Sequence, residues 1–173
     1  MAIFDSEEKR TETPDWVILR DGGVALYCQR AYLDEDLNWL RQRQYRVCWF
    51  NCEGWASGGM HADLERTLGF PSYYGHNLDA LHDCLEEEFL VPENGGAVVV
   101  FSRFDAFLKG EGGSVLPSGR TEAETVLDIF ARASRYFLLT GRRFLTLVQS
   151  DDPNIHFDGL GKLSAVWNRR ERH

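Results

Sequence analysis

Gly69-Phe-Pro-Ser-Tyr-Tyr-Gly-His-Asn-Leu-Asp-Ala-Leu-His-Asp-Cys-Leu85 is the most informative stretch of the chain. Phe70-Pro71 ends any helix that precedes it, because proline restricts the residue before it and cannot extend a helix. Tyr73, Tyr74 and Gly75 then form a turn, and Asn77 suits the N-cap of a new helix. Within that helix Leu78, Leu81, Leu85 and Phe89 recur at i, i+3, i+7 and i+11 with Cys84 adjoining, which defines one buried stripe. Asp79, Asp83 and Glu86 fall at i, i+4 and i+7 on another face, with Glu87 alongside. Like charges four apart weaken an isolated helix by a few tenths of a kcal/mol, so the pattern is mildly unfavourable on its own and a use for it is expected.

The acidity extends outward. Residues 61–95 carry eight carboxylates against Arg66 alone, which accounts for most of the formal charge of −8 over 173 residues. Such a chain repels phosphates and anionic membrane, and a cationic protein is its natural partner; the plainer reading is a solvated acidic face. No apolar run approaches the roughly 20 residues of a membrane span, and Met1–Arg10 lacks the apolar segment of a signal peptide, so an intracellular, cytoplasmic protein is expected. Cys28, Cys48, Cys52 and Cys84 show no Cys-x-x-Cys spacing, which points to free thiols and no metal.

Further out lie the strands. Tyr45–Phe50, Ala97–Phe101 and Phe144–Val148 are continuous apolar runs, the pattern of strands buried on both faces. Helical stretches at about 61–68, 76–89 and 121–139 alternate with them, the last opening on a Thr121/Glu124 capping pattern. The alternation predicts an α/β layer: a three-stranded parallel sheet covered by helices. Lys109–Ser114 reads as a mobile loop; it lacks the Gly-Lys-Ser/Thr ending of a phosphate cradle.

Ahead of this core, residues 1–14 read as a flexible N-terminal arm. Trp16–Leu19 and Val24–Tyr27 flank Asp21-Gly22-Gly23 and predict a β-hairpin, and Leu33, Leu37 and Leu40 predict a helix up to Arg43. Residues 15–44 are thus expected to be a hairpin-and-helix extension, 45–150 the central domain, and 151–173 a C-terminal extension. In that extension Trp167 tucks back onto the core and the basic Arg169–His173 end is solvated.

Asp79, Asp83 and His82 could in principle perform acid–base chemistry, but neighbouring helix positions point different ways and no nucleophile motif accompanies them. No catalytic residue, cofactor or metal is assigned.

The motif Pro71-x-Tyr73-Tyr74-Gly75-x-Asn77-Leu78-Asp79-Ala80-Leu81-x-Asp83-Cys84-Leu85 resembles the central motif of the barstar family. The similarity runs from about Tyr45 to Ser150, with Thr125–Phe130 resembling that family's penultimate helix and Leu145–Val148 its last strand. The resemblance implies a cytoplasmic, immunity-type inhibitor of a microbial guanyl-preferring ribonuclease, whose basic active site is blocked by an acidic helix and the turn before it. It also implies that Asp83 is the central anchor, Asp79 a second ionic contact, and Tyr73, Gly75 and Asn77 the turn surface over the cleft. His82 stands where the family's best-known member has a larger aromatic, and Glu86 and Glu87 complete the partner-binding set. Arg132 takes the place of a further acidic contact, and Glu86–Glu88 fill positions that are small, polar or aromatic in that member. These departures suggest a different cognate nuclease, or a basic partner that is not a ribonuclease. Oligomeric state and the roles of both flanks are not fixed by the sequence.

Overall fold

A computed structural model describes residues 13–161, 166–168 and 170–171. Strands β1 (Val24–Tyr27), β2 (Tyr45–Asn51), β3 (Gly96–Ser102), β4 (Phe144–Gln149) and the short β5 (Val166–Trp167) form one sheet in the order β2-β3-β4-β1-β5. Every neighbouring pair is parallel. The three predicted strands sit side by side as β2, β3 and β4, and every residue of β3 and β4 is buried, as their unbroken apolar runs require.

Among the described residues six helices cover the sheet: α1 (Pro14–Arg20), α2 (Arg30–Gln42), α3 (Met60–Leu68), α4 (Leu78–Glu87), α5 (Phe104–Lys109) and α6 (Glu122–Leu139). Side chains of α3 to α6 pack on one face around Trp55, Phe101, Phe104 and Phe130. Ile18 and Leu19 of α1 and Leu33, Leu37 and Leu40 of α2 pack on the other, against Val98, Val100, Leu145 and Leu147. The start of α6 is the predicted capping box: Glu124 N donates to Thr121 Oγ1 at 3.2 Å and Thr121 N to Glu124 Oε2 at 2.6 Å.

Two expectations are corrected. The sheet has more than three strands, because β1 pairs with β4 and the chain's last segment adds β5 beyond it. There is also no N-terminal hairpin: Trp16–Leu19 is helical, and β1 runs parallel to its neighbours. Pro14 at the start of α1 supplies a helical φ, and the helical turn buries Asp15, Ile18 and Leu19 together. The Asp15 carboxylate then accepts from the Tyr45 hydroxyl at 2.7 Å, a contact that a strand would not make in this position. Asp21-Gly22-Gly23 ends α1 instead of turning a hairpin; Gly23 has φ 84, and a Cβ there would lie 2.0 Å from Ser134 Oγ.

The stretch read as a mobile loop forms the end of α5 and a 3-10 turn at Glu111–Gly113, tied by Glu111 N to the Ala56 carbonyl at 3.1 Å. Trp167 packs against the core as expected. Arg170 is not a solvated tail residue: it bonds Asp36, Glu35 and the Tyr32 carbonyl. The arm expected at 1–14 falls almost wholly outside the described residues, as do Arg169, Arg172 and His173.

Candidate functional site

The acidic motif occupies the turn between α3 and α4 and the outer side of α4. Gly69 closes α3 in the left-handed region at φ 76, and the Phe70 amide bonds back to the Glu65 carbonyl at 3.0 Å. Phe70 is buried, and the Tyr74 amide reaches the Pro71 carbonyl at 2.9 Å, so the turn is pinned at both ends. Asn77 caps α4: its Oδ1 accepts from Ala80 N at 2.9 Å, and its Nδ2 donates to the Gly75 carbonyl at 3.1 Å. A Cβ on Gly75 would lie 3.0 Å from Asn77 Nδ2, so the turn favours the bare backbone that this position presents.

The helix phase is the one the periodicity predicted. Leu81, Cys84, Leu85 and Phe89 are buried and Leu78 is half-buried, while Asp79, Asp83 and Glu87 are exposed. Among the described residues, Asp79 and Glu87 make no hydrogen bond or ion pair. His82 lies between two acids, with Nδ1 3.2 Å from Asp83 Oδ1 and Nε2 3.4 Å from Glu86 Oε1, yet the Asp83 side chain stays 71% exposed. Asp79 stands in the first turn of α4, where the helix dipole favours a carboxylate.

Tyr73 projects into solvent, and its hydroxyl donates to Glu88 Oε1 at 2.5 Å, joining the turn to the far end of α4. That hydrogen bond to a carboxylate pushes the phenol up to about 12. Tyr74 points the other way. Its buried hydroxyl meets His61 Nδ1 at 2.5 Å, and burial raises its pKa. His76, with φ 48, reaches Glu65 Oε2 at 2.8 Å and lies 6.2 Å from the His61 ring. Burial first, and His76 second, lower the His61 pKa. This support beneath the turn has no signature in periodicity, since it joins α3 to the turn through side chains eleven and thirteen residues apart.

Arg132 binds Asp128 Oδ2 at 2.7 Å within its own helix, so its charge is met locally; Asp128 also takes Arg120 at 3.3 Å and the Gly161 amide at 2.7 Å. A cavity of about 540 Å³ opens at the carboxyl ends of β2, β3 and β4, beside Trp49, Ser102, Arg103 and Gln149. A smaller cleft lies between the ends of α4 and α6. Asp79, His82 and Asp83 line neither of these two. The Cys48 and Cys52 thiols are buried, and burial raises both. Among the described residues, no helix is long and apolar enough to cross a membrane.

Comparison with known proteins bears on this surface. A family model described as Barstar (barnase inhibitor) matches residues 45–149, which contain the turn, α4, α6 and the β2-β3-β4 ladder. A Bacillus subtilis (strain 168) protein named "Putative ribonuclease inhibitor YrdF" is 65% identical over 26 residues. That match covers 15% of this chain and 29% of the relative, so the chain spans under a third of that protein.

Proposed function

The chain belongs to the barstar family, and from that premise we propose that it is a non-catalytic cytoplasmic inhibitor, of the immunity type, that blocks the basic active site of a microbial guanyl-preferring ribonuclease. The observation that carries the reading is α4, apolar toward the core and carboxylate toward solvent, with Asp79 and Glu87 unpaired among the described residues and Asp83 exposed beside His82. Carboxylates held on a rigid helix stand in for the phosphates of an RNA substrate. The ribonuclease's arginine, lysine and histidine side chains supply the opposite charge. Asp83 is the central anchor and Asp79 the second ionic contact. Tyr73, Gly75 and Asn77 form the turn surface that covers the cleft, and His82, Glu86 and Glu87 complete the contact.

Long-range attraction between such faces speeds encounter and makes binding sensitive to salt. No cofactor, nucleic acid or membrane takes part. The run Glu86–Glu88 supports one second reading, a basic partner that is not a ribonuclease, because the resemblance puts small, polar or aromatic residues there in the family's best-known member.

Calorimetry against a panel of barnase-like and related guanyl-preferring ribonucleases, with Asp83→Ala as the control, tests the proposal. Tight, salt-sensitive binding lost in the variant is the expected result. Absence of binding to every member overturns the ribonuclease assignment and leaves the second reading.

A further inference from the structure

Single exposed leucines are ordinary on a protein surface, whereas several together mark a contact. Leu90 is 78% exposed and lies shortly after the end of α4; Leu139 is 89% exposed on the last turn of α6. Tyr136 is partly exposed, one helical turn before Leu139 and on the same side. Because α4 packs against α6, Leu90 and Tyr136 line one cleft of about 270 Å³, together with Glu86, Phe89, Phe137 and Arg142 among others, and Leu139 lies just before the lining residue Thr140. Its floor is aromatic and rigid: Phe89 and Phe137 are buried and both meet the Phe144 ring, at 5.6 and 5.4 Å.

The cleft is smaller than the roughly 300–1,000 Å³ of small-molecule sites, and it suits one or two side chains. Its cations are already engaged. Arg142 holds the Val91 carbonyl and Glu93 at 2.9 Å each, and Arg46 lies over the Phe89 ring. What remains is an apolar floor lined by Glu86 and bordered by Glu93, the carboxylate that Arg142 holds, which rejects an acidic visitor and admits an apolar side chain carried on a basic surface. Glu86 belongs both to this cleft and to the acidic side of α4.

We propose that the cleft between the C-terminal ends of α4 and α6 is the apolar half of a two-part interface. It takes a leucine-like or aromatic side chain from the same basic partner whose cationic site meets Asp79 and Asp83. The inference rests on the inhibitor reading and adds a second demand on the partner: an apolar knob beside its basic groove. Interfaces commonly draw their affinity from such an anchor in a pocket, with charged contacts around it setting rate and specificity.

The test is a Leu90→Gln/Tyr136→Gln double variant of two residues that line the cleft, which changes no charge, with Val115→Gln as a control because Val115 is a similarly exposed apolar residue before α6. Each is titrated across a salt series with the barnase-like ribonuclease that binds the unaltered chain, alongside Asp83→Ala. The expected result is affinity about 10- to 100-fold weaker for the double variant with an unchanged salt dependence. Val115→Gln binds normally, and Asp83→Ala loses both affinity and salt dependence. Normal binding by the double variant, with Asp83→Ala still defective, overturns the cleft and spares the inhibitor reading. If no ribonuclease binds the unaltered chain, both fall together. Concentration-dependent dimerisation of the unaltered chain that the double variant abolishes assigns the cleft to a second copy and overturns the proposal.

Discussion

Asp36 and Asp83 are both aspartates in the interior of a helix, and their surroundings are opposite. Asp36 is 6% exposed; its carboxylate accepts from the Tyr27 hydroxyl at 2.8 Å, Asn168 Nδ2 at 2.9 Å and Arg170 Nη2 at 2.9 Å. Burial still raises its pKa against the lowering effect of those partners, so the charge is costly where it sits and is held by its network. Asp15 and Asp128 follow the same pattern, each buried and each met by an arginine. Asp83 has solvent on one side and only a histidine nearby, and Asp79 has no partner among the described residues. The buried carboxylates are paired, whereas Asp79, Asp83 and Glu87 of α4 face solvent, where the proposed partner would meet them.

Asp36→Ala breaks the first half of that contrast and has the largest expected effect on stability. It strands the fully buried Tyr27 hydroxyl and removes one anion from Arg170, at a cost of roughly 3–5 kcal/mol. Chemical denaturation measures the loss, and the segment carrying Asn168 and Arg170 should detach first in hydrogen exchange. A loss below about 1 kcal/mol means that the tail does not depend on Asp36.

The second half is sharpened within α4 itself by comparing its two sides. Leu81→Ala opens a cavity beneath the helix and should cost roughly 2–5 kcal/mol of stability. Asp83→Ala should leave the melting temperature unchanged or slightly raised, since an exposed contact with His82 contributes little and a like-charge neighbour is removed. Its cost falls on binding instead: roughly 2–5 kcal/mol, a range for truncated interfacial charge partners to which the barnase–barstar pair itself contributes. Equal losses of stability and binding in Asp83→Ala refute the division of α4 into a folding side and a binding side.

The buried and exposed sides of α4 were legible in the sequence because a helix encodes both within a few residues. Leu81, Leu85 and Phe89 announced burial by spacing, and the central strands by unbroken apolar runs. What failed was non-local. Trp16-Val-Ile-Leu has β-prone residues, yet Pro14 and the contact between Asp15 and Tyr45, thirty residues apart, favour a helix. The place of β1 beside β4 depends on a partner more than a hundred residues away, and the chain end was read as solvated because nothing local marks Arg170 as the mate of Asp36. The apolar rim was missed for a similar reason. Leu90 lies just past the predicted helix and Tyr136 inside another, and only the packing of α4 on α6 brings the two to one cleft.

The smallest expected effect concerns the turn that leads into the carboxylates of α4. His61 accepts from or donates to the buried Tyr74 hydroxyl beneath Tyr73 and Gly75, with His76 and its partner Glu65 nearby. Burial and His76 hold the folded-state pKa of His61 below that of the unfolded chain. Its stabilising contribution is therefore complete above the unfolded value of about 6.5 and lost as pH falls through the lower folded value. The slope from one such group cannot exceed about 1.4 kcal/mol per pH unit. Melting curves from pH 8 to pH 5 should show His61→Gln, which keeps a hydrogen-bonding group for Tyr74, losing less stability on acidification than the unaltered chain. Other carboxylates titrate equally in both proteins and cancel in the difference. Parallel curves mean that the turn is held by Phe70, Pro71 and Asn77 alone, and that His61 only fills space beneath it.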